Sequence, residues 1–183
     1  CDRFGVRENV LPMTDSEVPT QLKTDLRLIH VQEYRVGAKG KIDIEKVVRS
    51  YVEPPIATEE VLSVIDASYT IVIGACIPIT SISPILACEG MKNALLEKFV
   101  IAVSPFIGNA PISGPAGALM QAEGFEPSSL GTFNCYEGIT DIFVQDIRDP
   151  VMVNQSVRFD TLMTDEEKSV ALAREILSLS RHG

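Results

Sequence analysis

Fully apolar segments that alternate with amphipathic ones constrain the fold of this chain more than any other feature. After residue 58, runs such as YTIVIG and FVIAV are apolar on both faces of an extended strand. Between the runs lie segments with apolar residues at helical spacing, such as TEEVLSVIDA and KSVALAREILSL. Strands of this kind are typical of a parallel sheet that helices cover on both sides. The sequence therefore predicts an α/β fold with a Rossmann-like, mostly parallel sheet.

A β-rich section precedes this core. The segment NVLPM, residues 9–13, is apolar like a short strand, and LRLIHVQEYRV, residues 26–36, alternates as a half-exposed strand does. Paired prolines at Pro54 and Pro55 end the section, because they break helices and strands alike. We therefore expect one α/β domain over 1–183, with a β-hairpin section over 1–55 and a βα core over 56–183.

Capping residues mark where the helices of the core should begin. Their side chains accept a hydrogen bond from the first helical turn. Thr58 is a clear case, because Glu59 and Glu60 follow it and acidic residues favour the positive end of a helix. The expected caps are Thr58, Ser83, Ser113 or Gly114, and Thr164.

Charge and composition narrow the classes of function. The 183 residues carry a formal net charge of −9, and 45% of them are hydrophobic. Such an acidic chain is a poor partner for a nucleic-acid backbone, and no apolar run reaches the roughly 18 residues that cross a membrane. The four cysteines form no Cys-x-x-Cys pair, which disfavours a zinc site and a disulfide framework. We expect a cytoplasmic protein with reduced thiols and neither nucleic-acid nor membrane partners.

The loop after the first apolar strand of the core is one candidate binding site, since ligands of open parallel sheets bind beyond the carboxyl ends of the strands. It begins at Gly74 and continues as Ala75, Cys76 and Ile77. None of these three side chains is a good phosphate ligand. The turn therefore either binds an anion through its backbone N–H groups or is only a connection. We expect Cys76 to be buried and unreactive.

The loop after the next apolar strand, Ser104 to Gly117, is a second candidate. Its glycines and Asn109 can adopt positive φ, so that successive backbone N–H groups form an anion-binding nest. Side chains of Ser104, Asn109 and Ser113 can add hydrogen bonds. The same composition fits a tight connection that binds nothing, and spacing alone does not separate the two. The residues with this freedom are Gly108, Asn109, Gly114 and Gly117.

Other polar positions fit structural roles better. Asp15 follows an expected strand, where aspartate is usually a turn residue. Asp141 and Asp146 flank a strand, and Asp149 precedes Pro150, which also fits turn chemistry. No order of serine, histidine and aspartate supports nucleophilic catalysis.

Five segments of unusual sequence occur along nearly the whole chain. The longest is VIAVSPFIGNAPISGPAGALM, and the others are FGV…VLPMTDSEVPT, HVQEY, VIG…PITSISPIL and DTLMTDEEK. In content, order and spacing they resemble the 2-phospho-L-lactate transferase family of coenzyme F420 biosynthesis, the CofD-like proteins. The resemblance covers the C-terminal two thirds of the family pattern.

This resemblance implies transfer of a 2-phospholactyl or related three-carbon phosphate group. It implies a guanosine diphosphate (GDP)-linked donor, a deazaflavin ribityl hydroxyl as acceptor, and assistance by Mg²⁺. It identifies no catalytic residue and no metal ligand in this chain. The nucleotide- and phosphate-binding residues that it implies, together with the loop analysis, are Gly74, Ala75, Cys76, Thr80, Ser81, Ser104, Gly108, Asn109, Ser113 and Gly114.

The chain departs from the family pattern at several positions. The glycine-rich phosphate turn after the family's first strand does not occur, and Ala75-Cys76-Ile77 replaces a polar Pro-Ser-Asn segment. Ala118 and Ile147 stand where a lysine and an acidic residue are common. We therefore expect altered guanosine binding, which Cys76→Ser combined with Ile77→Asn should tighten.

The missing first strand also bears on partners and activity. We expect an incomplete domain whose exposed sheet edge pairs with a second copy of the chain or with a missing N-terminal portion. Turnover by these 183 residues alone is not expected. The alternative function is a catalytically inactive nucleotide- or nucleotide-sugar-binding module of the related gluconeogenesis-factor type.

Overall fold

A small antiparallel sheet opens the structure, a computed structural model that describes residues 9–37, 42–108, 110–112 and 114–180. Its strands are β1 (Thr20–Lys23), β2 (Leu28–His30) and β3 (Lys46–Arg49). They are arranged in the order β2-β1-β3, with both neighbours of β1 antiparallel. The β-hairpin section predicted for the front of the chain is thus confirmed.

A four-stranded parallel sheet forms the centre of the fold. The chain runs through α1 (Glu59–Ala67), β4 (Thr70–Ile73), α2 (Ser83–Leu86), α3 (Met91–Leu96) and β5 (Phe99–Val103). It continues through β6 (Phe106–Ile107), β7 (Ala110–Pro111), α4 (Ala116–Ala122), α5 (Ser129–Cys135), β8 (Ile142–Asp146), β9 (Ser156–Phe159) and α6 (Glu166–Leu179). The sheet order is β4-β5-β8-β9 and every pair is parallel, which confirms the predicted α/β fold.

Apolar side chains cover both faces of the parallel sheet. Val100 and Ile101 are adjacent in β5 and point to opposite faces, yet both are fully buried. Val100 belongs to a cluster that includes Leu95 of α3, and Ile101 belongs to a cluster that includes Leu172 of α6. Burying each of these side chains stabilises the fold by roughly 1.5–3 kcal/mol, which explains why the strands read as continuous apolar runs.

A separate apolar cluster attaches the antiparallel sheet to the loops that follow β4 and β5. It joins Leu22 of β1, Ile77 and Ile79 after β4, Phe106 after β5, and Leu119 of α4. Each of these side chains is at most 5% exposed. Because the hairpin section and the two loops share one core, the hairpin section holds the loops in place.

Strand β4 lies at an edge of the parallel sheet and pairs only with β5 among the described strands. Its Val72 is 45% exposed and the preceding Tyr69 is 93% exposed. Beside the strand lies an apolar groove of about 270 Å³, to which Leu11, Val61 and Ile85 contribute. Pairing of this edge with a second copy or with further polypeptide stays a prediction.

The strand predicted over residues 9–13 is wrong. This segment is described and contains no strand. Two carbonyl groups of the segment accept hydrogen bonds from Thr58 instead. The Thr58 N–H donates to Met13 O at 3.1 Å, and the Thr58 hydroxyl donates to Pro12 O at 3.1 Å. The segment therefore anchors the start of α1.

The long strand predicted over residues 26–36 is only partly present. Extended backbone ends after β2, and the chain then turns into a π-helical segment, Glu33–Gly37. This turn places Tyr34 in the apolar cluster with no exposed surface. Burial of one large ring thus outweighs the alternating pattern of the sequence.

Two of the predicted helix starts are confirmed, one of them shifted by one residue. Thr58 Oγ1 accepts from Val61 N at 3.3 Å and caps α1. The cap of α6 is Asp165 rather than Thr164, and its carboxylate accepts from Lys168 N at 2.9 Å. The cap position of α4 is Pro115 rather than Gly114, while Ser113 lies outside the described residues.

The helix cap expected at Ser83 is wrong, because Ser83 is the first residue of α2 and Ile82 holds the cap position. A π-helical turn, Pro78–Ile82, already precedes α2. The helix is then interrupted before α3 by Gly90, which has a φ of 88°. Glu89 explains the interruption, because its N–H donates to Pro55 O at 2.7 Å and its carbonyl accepts from the Ala57 N–H at 3.1 Å.

Candidate functional site

The carboxyl ends of β4, β5, β8 and β9 lie together at one end of the parallel sheet. Gly74 follows β4 and Ser104 follows β5. Ile73 pairs with Ala102, so the two loops predicted as binding sites leave neighbouring strands side by side. This is where ligands of parallel sheets bind.

The turn after β4 exposes its backbone and one thiol. Cys76 N donates to Gly74 O at 2.8 Å, and a Cβ added to Gly74 would meet no atom within 4 Å. Ala75 is half-buried, whereas Gly74 and Cys76 are exposed. The expectation of a buried Cys76 is therefore wrong. It is the next residue, Ile77, that enters the apolar core, with 5% of its surface exposed.

Thr80 and Ser81 lie on the π-helical turn that follows, and both are half-buried. The hydroxyl oxygen of Thr80 is buried and bonds to no residue that the structure describes. Beside it, Arg49 of β3 donates from Nη2 to Ile79 O at 2.8 Å. Arg49 forms no ion pair within the described ranges, so its charge is available here. No sequence pattern marks Arg49, since it lies 30 residues along the chain from its contact.

Gly108, in the loop after β5, has a positive φ that favours glycine. Gly108 has a φ of 59°, and a Cβ there would lie 3.6 Å from Arg148 O. Gly114 and Gly117 do not adopt positive φ. Asn109, like Ser113, lies outside the described residues, so the predicted nest stays a prediction.

Ser104 is fully buried at one end of a directed chain of hydrogen bonds. Phe106 N donates to Ser104 Oγ at 3.1 Å, and the hydroxyl oxygens of Ser104 and Ser129 are 2.7 Å apart. Ser129 donates to Asp149 Oδ2 at 2.5 Å. Since the single Ser129 proton is directed at the carboxylate, Ser104 must be the donor to Ser129. These hydrogen bonds link β5, α5 and the loop after β8.

Gln145 of β8 fixes the other end of this chain. Its Nε2 donates to Asp149 Oδ2 at 3.0 Å and to Val151 O at 2.8 Å, while its Oε1 accepts from Val153 N at 2.7 Å. Asp149, predicted as a turn residue, is therefore a buried carboxylate with 4% exposure. Its position before a proline does not reveal this, and only the fold brings Ser129 and Gln145 to it.

A second polar cluster, at the ends of β8 and β9, is saturated with internal partners. Asp146 accepts from Arg148 Nε and Nη2 at 2.6 and 2.7 Å and from Thr161 N at 2.9 Å. Burial raises the pKa of Asp146, but the hydrogen bonds from Arg148 and Thr161 outweigh burial and bring the pKa to about 2. Asp160 in turn pairs with Arg148 and Lys168, and the Lys168 hydrogen bond lowers its pKa. These two cations are thus already neutralised.

The described side chains do not offer a metal site. No group of three or more histidine, cysteine, aspartate or glutamate residues in the described ranges is placed to hold a metal ion. The carboxylates of Asp146 and Asp160 are occupied by Arg148 and Lys168. The described residues therefore do not fit the Mg²⁺ that the resemblance implies. Of the described helices, none has the length and apolar character that a membrane crossing requires.

Alkylation should distinguish the described cysteines. Cys76, Cys88 and Cys135 are free thiols. Burial raises the pKa of Cys135 to about 11 and also raises that of Cys88. We expect iodoacetamide near neutral pH to modify Cys76 at least about tenfold faster than the other two, because thiolate character and access control the rate. Peptide mass mapping measures each site separately, Cys1 included, and equal rates would contradict the exposed position of Cys76.

Comparisons with known proteins agree with the fold and with the motifs. The sequence model of the family described as 2-phospho-L-lactate transferase CofD matches residues 1–177. The chain is 46% identical over 179 residues to the 2-phospho-L-lactate transferase of Methanocorpusculum labreanum, covering 96% of this chain and 59% of that protein. It is 44% identical over 178 residues to that of Methanospirillum hungatei JF-1, covering 97% and 60%. The chain thus spans about 60% of the length of these curated relatives.

A solved structure shares the fold. Protein BH3568 from Bacillus halodurans matches with a TM-score of 0.61 at 15% identity, over 96% of this chain and 64% of that one. At this identity the likeness concerns the fold alone. The family match along residues 1–177 and the identities of 46% and 44% go further, and they show that the chain belongs to the 2-phospho-L-lactate transferase CofD family.

Proposed function

We propose that this chain supplies the nucleotide-binding part of a cytoplasmic transferase in coenzyme F420 biosynthesis. The enzyme moves a 2-phospholactyl or related three-carbon phosphate group from a GDP-linked donor to the ribityl hydroxyl of a deazaflavin. The observation that carries the proposal is the family match along residues 1–177. The donor and the acceptor are inferred from the resemblance of the motifs.

The proposed reaction is a substitution at phosphorus. The acceptor hydroxyl oxygen forms a bond to the phosphorus of the phospholactyl group, and its proton is lost. The bond from that phosphorus to the oxygen shared with the guanosine phosphate breaks, and GMP leaves. Such a step depends on positioning and on neutralising charge more than on a covalent nucleophile.

We assign the donor phosphates to the turn after β4. The exposed backbone at Gly74 and Cys76 leaves room for an anion, and Arg49 stands beside the segment that follows. Arg49 is the better candidate cation, because Arg148 and Lys168 are paired with aspartates.

The burial of Ile77 makes the double substitution Cys76→Ser with Ile77→Asn unsuitable as a test of GDP binding. Ile77→Asn would bury an amide in the apolar cluster around Leu22 and Phe106. A buried polar group without a partner costs roughly 1–3 kcal/mol, so the pair with Cys76→Ser would lose stability whatever its effect on the ligand. Cys76→Ser alone tests the exposed position.

Protection of Cys76 from alkylation tests the phosphate assignment. We expect millimolar GDP to slow modification of Cys76 and to leave Cys88 unaffected. Arg49→Gln should weaken GDP binding about tenfold, as expected for loss of a charged hydrogen bond to phosphate. The matched control Arg27→Gln removes a cation that pairs with Glu33 in the hairpin section. Lack of both protection and calorimetric heat would contradict the assignment.

Release of GMP distinguishes the proposed transferase function from the alternative of an inactive binding module. The chain is measured alone and joined to the part of the Methanocorpusculum labreanum relative that lies outside the match. Donor- and deazaflavin-dependent GMP release by the joined protein supports the transferase. GDP binding without GMP release in that protein supports the module instead.

A further inference from the structure

Helices cover the two faces of the parallel sheet unevenly. On one face, the apolar cluster receives Ile65 of α1, Leu95 of α3 and Phe133 of α5. On the other face, α6 is the described helix that contributes to the cluster, through Leu172 and Ile176. We call this second face the α6 face.

Val72 of β4 lies on the α6 face without a cover. It pairs with Ile101 of β5, and side chains at the same level of neighbouring strands point to the same face. Ile101 is fully buried in the cluster to which Leu172 of α6 belongs, whereas Val72 is 45% exposed. Strands of parallel sheets are usually covered on both faces, so the α6 face of β4 has room for a further element.

The open edge of β4 places a second apolar surface next to Val72. The groove of about 270 Å³ at this edge is lined by Val72 together with Leu11, Val61 and Ile85. Among the described strands, β4 pairs only with β5, so its outward N–H and C=O groups have no partner strand. A strand at the edge and a helix on the α6 face would together cover the groove, the backbone groups and Val72.

The handedness of parallel connections relates these two covers. From β4 to β5 and from β5 to β8 the chain crosses the sheet in one direction, and α3 and α5 of these connections lie on the same face. Right-handed crossovers have this property, and a connection that runs in the opposite direction places its helix on the opposite face. A helix over Val72 therefore belongs to strands that continue outward from β4, away from β5.

The curated relatives contain polypeptide that can fill this place. Since 179 residues make up 59% of the Methanocorpusculum labreanum relative, roughly 120 of its residues lie outside the match, room for several strand–helix–strand units of about 30 residues each. A second copy of this chain is a poorer occupant, because two copies with a net charge of −9 each repel one another.

We propose that β4 and Val72 dock a strand–helix unit of this outlying polypeptide, with its strand parallel to β4 and its helix on the α6 face. The order of the sheet then reverses at β4, and ligands of open parallel sheets bind beyond the carboxyl ends of the strands at such a reversal. The reversal lies next to the turn that begins at Gly74. The docking does not rest on the proposed function, whereas any strengthening of GDP binding at this turn does.

Cysteine labelling tests the docking without a ligand. Val72→Cys is compared in the chain alone and in the chain joined to the part of the Methanocorpusculum labreanum relative outside the match. We expect iodoacetamide to modify the introduced thiol at least about tenfold more slowly in the joined protein, because access controls the rate. The matched control is Leu28→Cys in β2, where the parent residue is 49% exposed, and its thiol should react equally fast in both proteins.

Two results would overturn the proposal. Rapid modification of the introduced thiol in the folded joined protein would show that no helix covers Val72. Protection that develops in the chain alone as its concentration rises would identify a second copy as the occupant. If the joined protein does not fold, the cysteine is placed in the full-length relative at the position that the match aligns with Val72, where rapid modification would again contradict the docking.

The substitution Val72→Lys tests the same surface through stability. The lysine stays in water in the chain alone, so the midpoint of urea unfolding should not change, whereas in the joined protein docking would bury an unpaired cation and lower the midpoint. Leu28→Lys should have the same effect in both proteins. GDP titration is run in parallel. Docking without GDP binding defeats the phosphate assignment alone, and GDP binding without protection of the introduced thiol defeats the docking alone.

Discussion

Gly131→Ala is expected to lower the free energy of unfolding by about 3 kcal/mol, through a clash that side-chain movement cannot relieve. A Cβ at this position would lie 1.8 Å from Glu126 O and 2.8 Å from Glu126 C, both backbone atoms. Gly131 is buried in α5, where its N–H donates to the capping hydroxyl of Ser128 at 3.1 Å. The start of α5 must therefore move to accept the methyl group.

Chemical denaturation measures this loss, and Gly114→Ala is the matched control. A Cβ on Gly114 meets no atom within 4 Å, and its φ is not positive. Its free energy of unfolding should stay within about 0.5 kcal/mol of the parent, as for most surface substitutions. Equal effects of the two substitutions would show that the path from residue 126 to residue 131 is not as tight as described.

Asp146→Ala should destabilise the chain by about 1–3 kcal/mol, because it removes the buried acceptor of an ion pair whose other partner, Arg148, is 41% exposed. The carboxylate has no exposed surface and binds Arg148 and Thr161. Its loss leaves the Thr161 N–H without an acceptor. Asp160→Ala is the control, because Asp160 is 41% exposed and pairs near solvent. Exposed ion pairs contribute about 0–1 kcal/mol, so a similar loss at both positions would contradict this account.

The low pKa of Asp146 gives its contribution a defined pH dependence. Its pKa is about 2 in the folded chain, compared with 3.8 for an ordinary aspartate. The difference corresponds to about 2 kcal/mol of stability, which is present above pH 3.8 and is lost as the pH falls through 2. Between these values the unfolding free energy of the parent should fall more steeply than that of Asp146→Asn. Parallel curves would contradict the assignment.

The core of the fold could be predicted because its signal is local. Continuous apolar runs marked β4 and β5, and Thr58 marked the start of α1, since burial on two faces and helix capping act within a few residues. Residues 9–13 and 26–36 were misassigned because distant groups decide them. Thr58 bonds to the first segment across 46 residues, and the second bends to bury Tyr34.

The same contrast between local sequence signals and distant contacts applies to the candidate site. Gly74 and Ser104 could be placed because the ends of parallel strands meet at one edge. Asp149 could not be recognised, since its partner Ser129 lies 20 residues away in the sequence. Arg49 contacts the π-helical turn after the predicted phosphate turn, and it does so from another sheet. Contacts of this kind depend on packing, which one sequence does not reveal.

The position of β4 at the sheet edge has a consequence for amide hydrogen exchange. Along an edge strand, successive N–H groups alternate between the neighbouring strand and the outside. Slow and fast exchange should therefore alternate over Thr70–Ile73, whereas β5, between two strands, should exchange slowly throughout. If a second copy covers the edge, the fast amides of β4 should slow as protein concentration rises. If an added polypeptide covers it, their protection should follow that polypeptide and not the concentration of this chain.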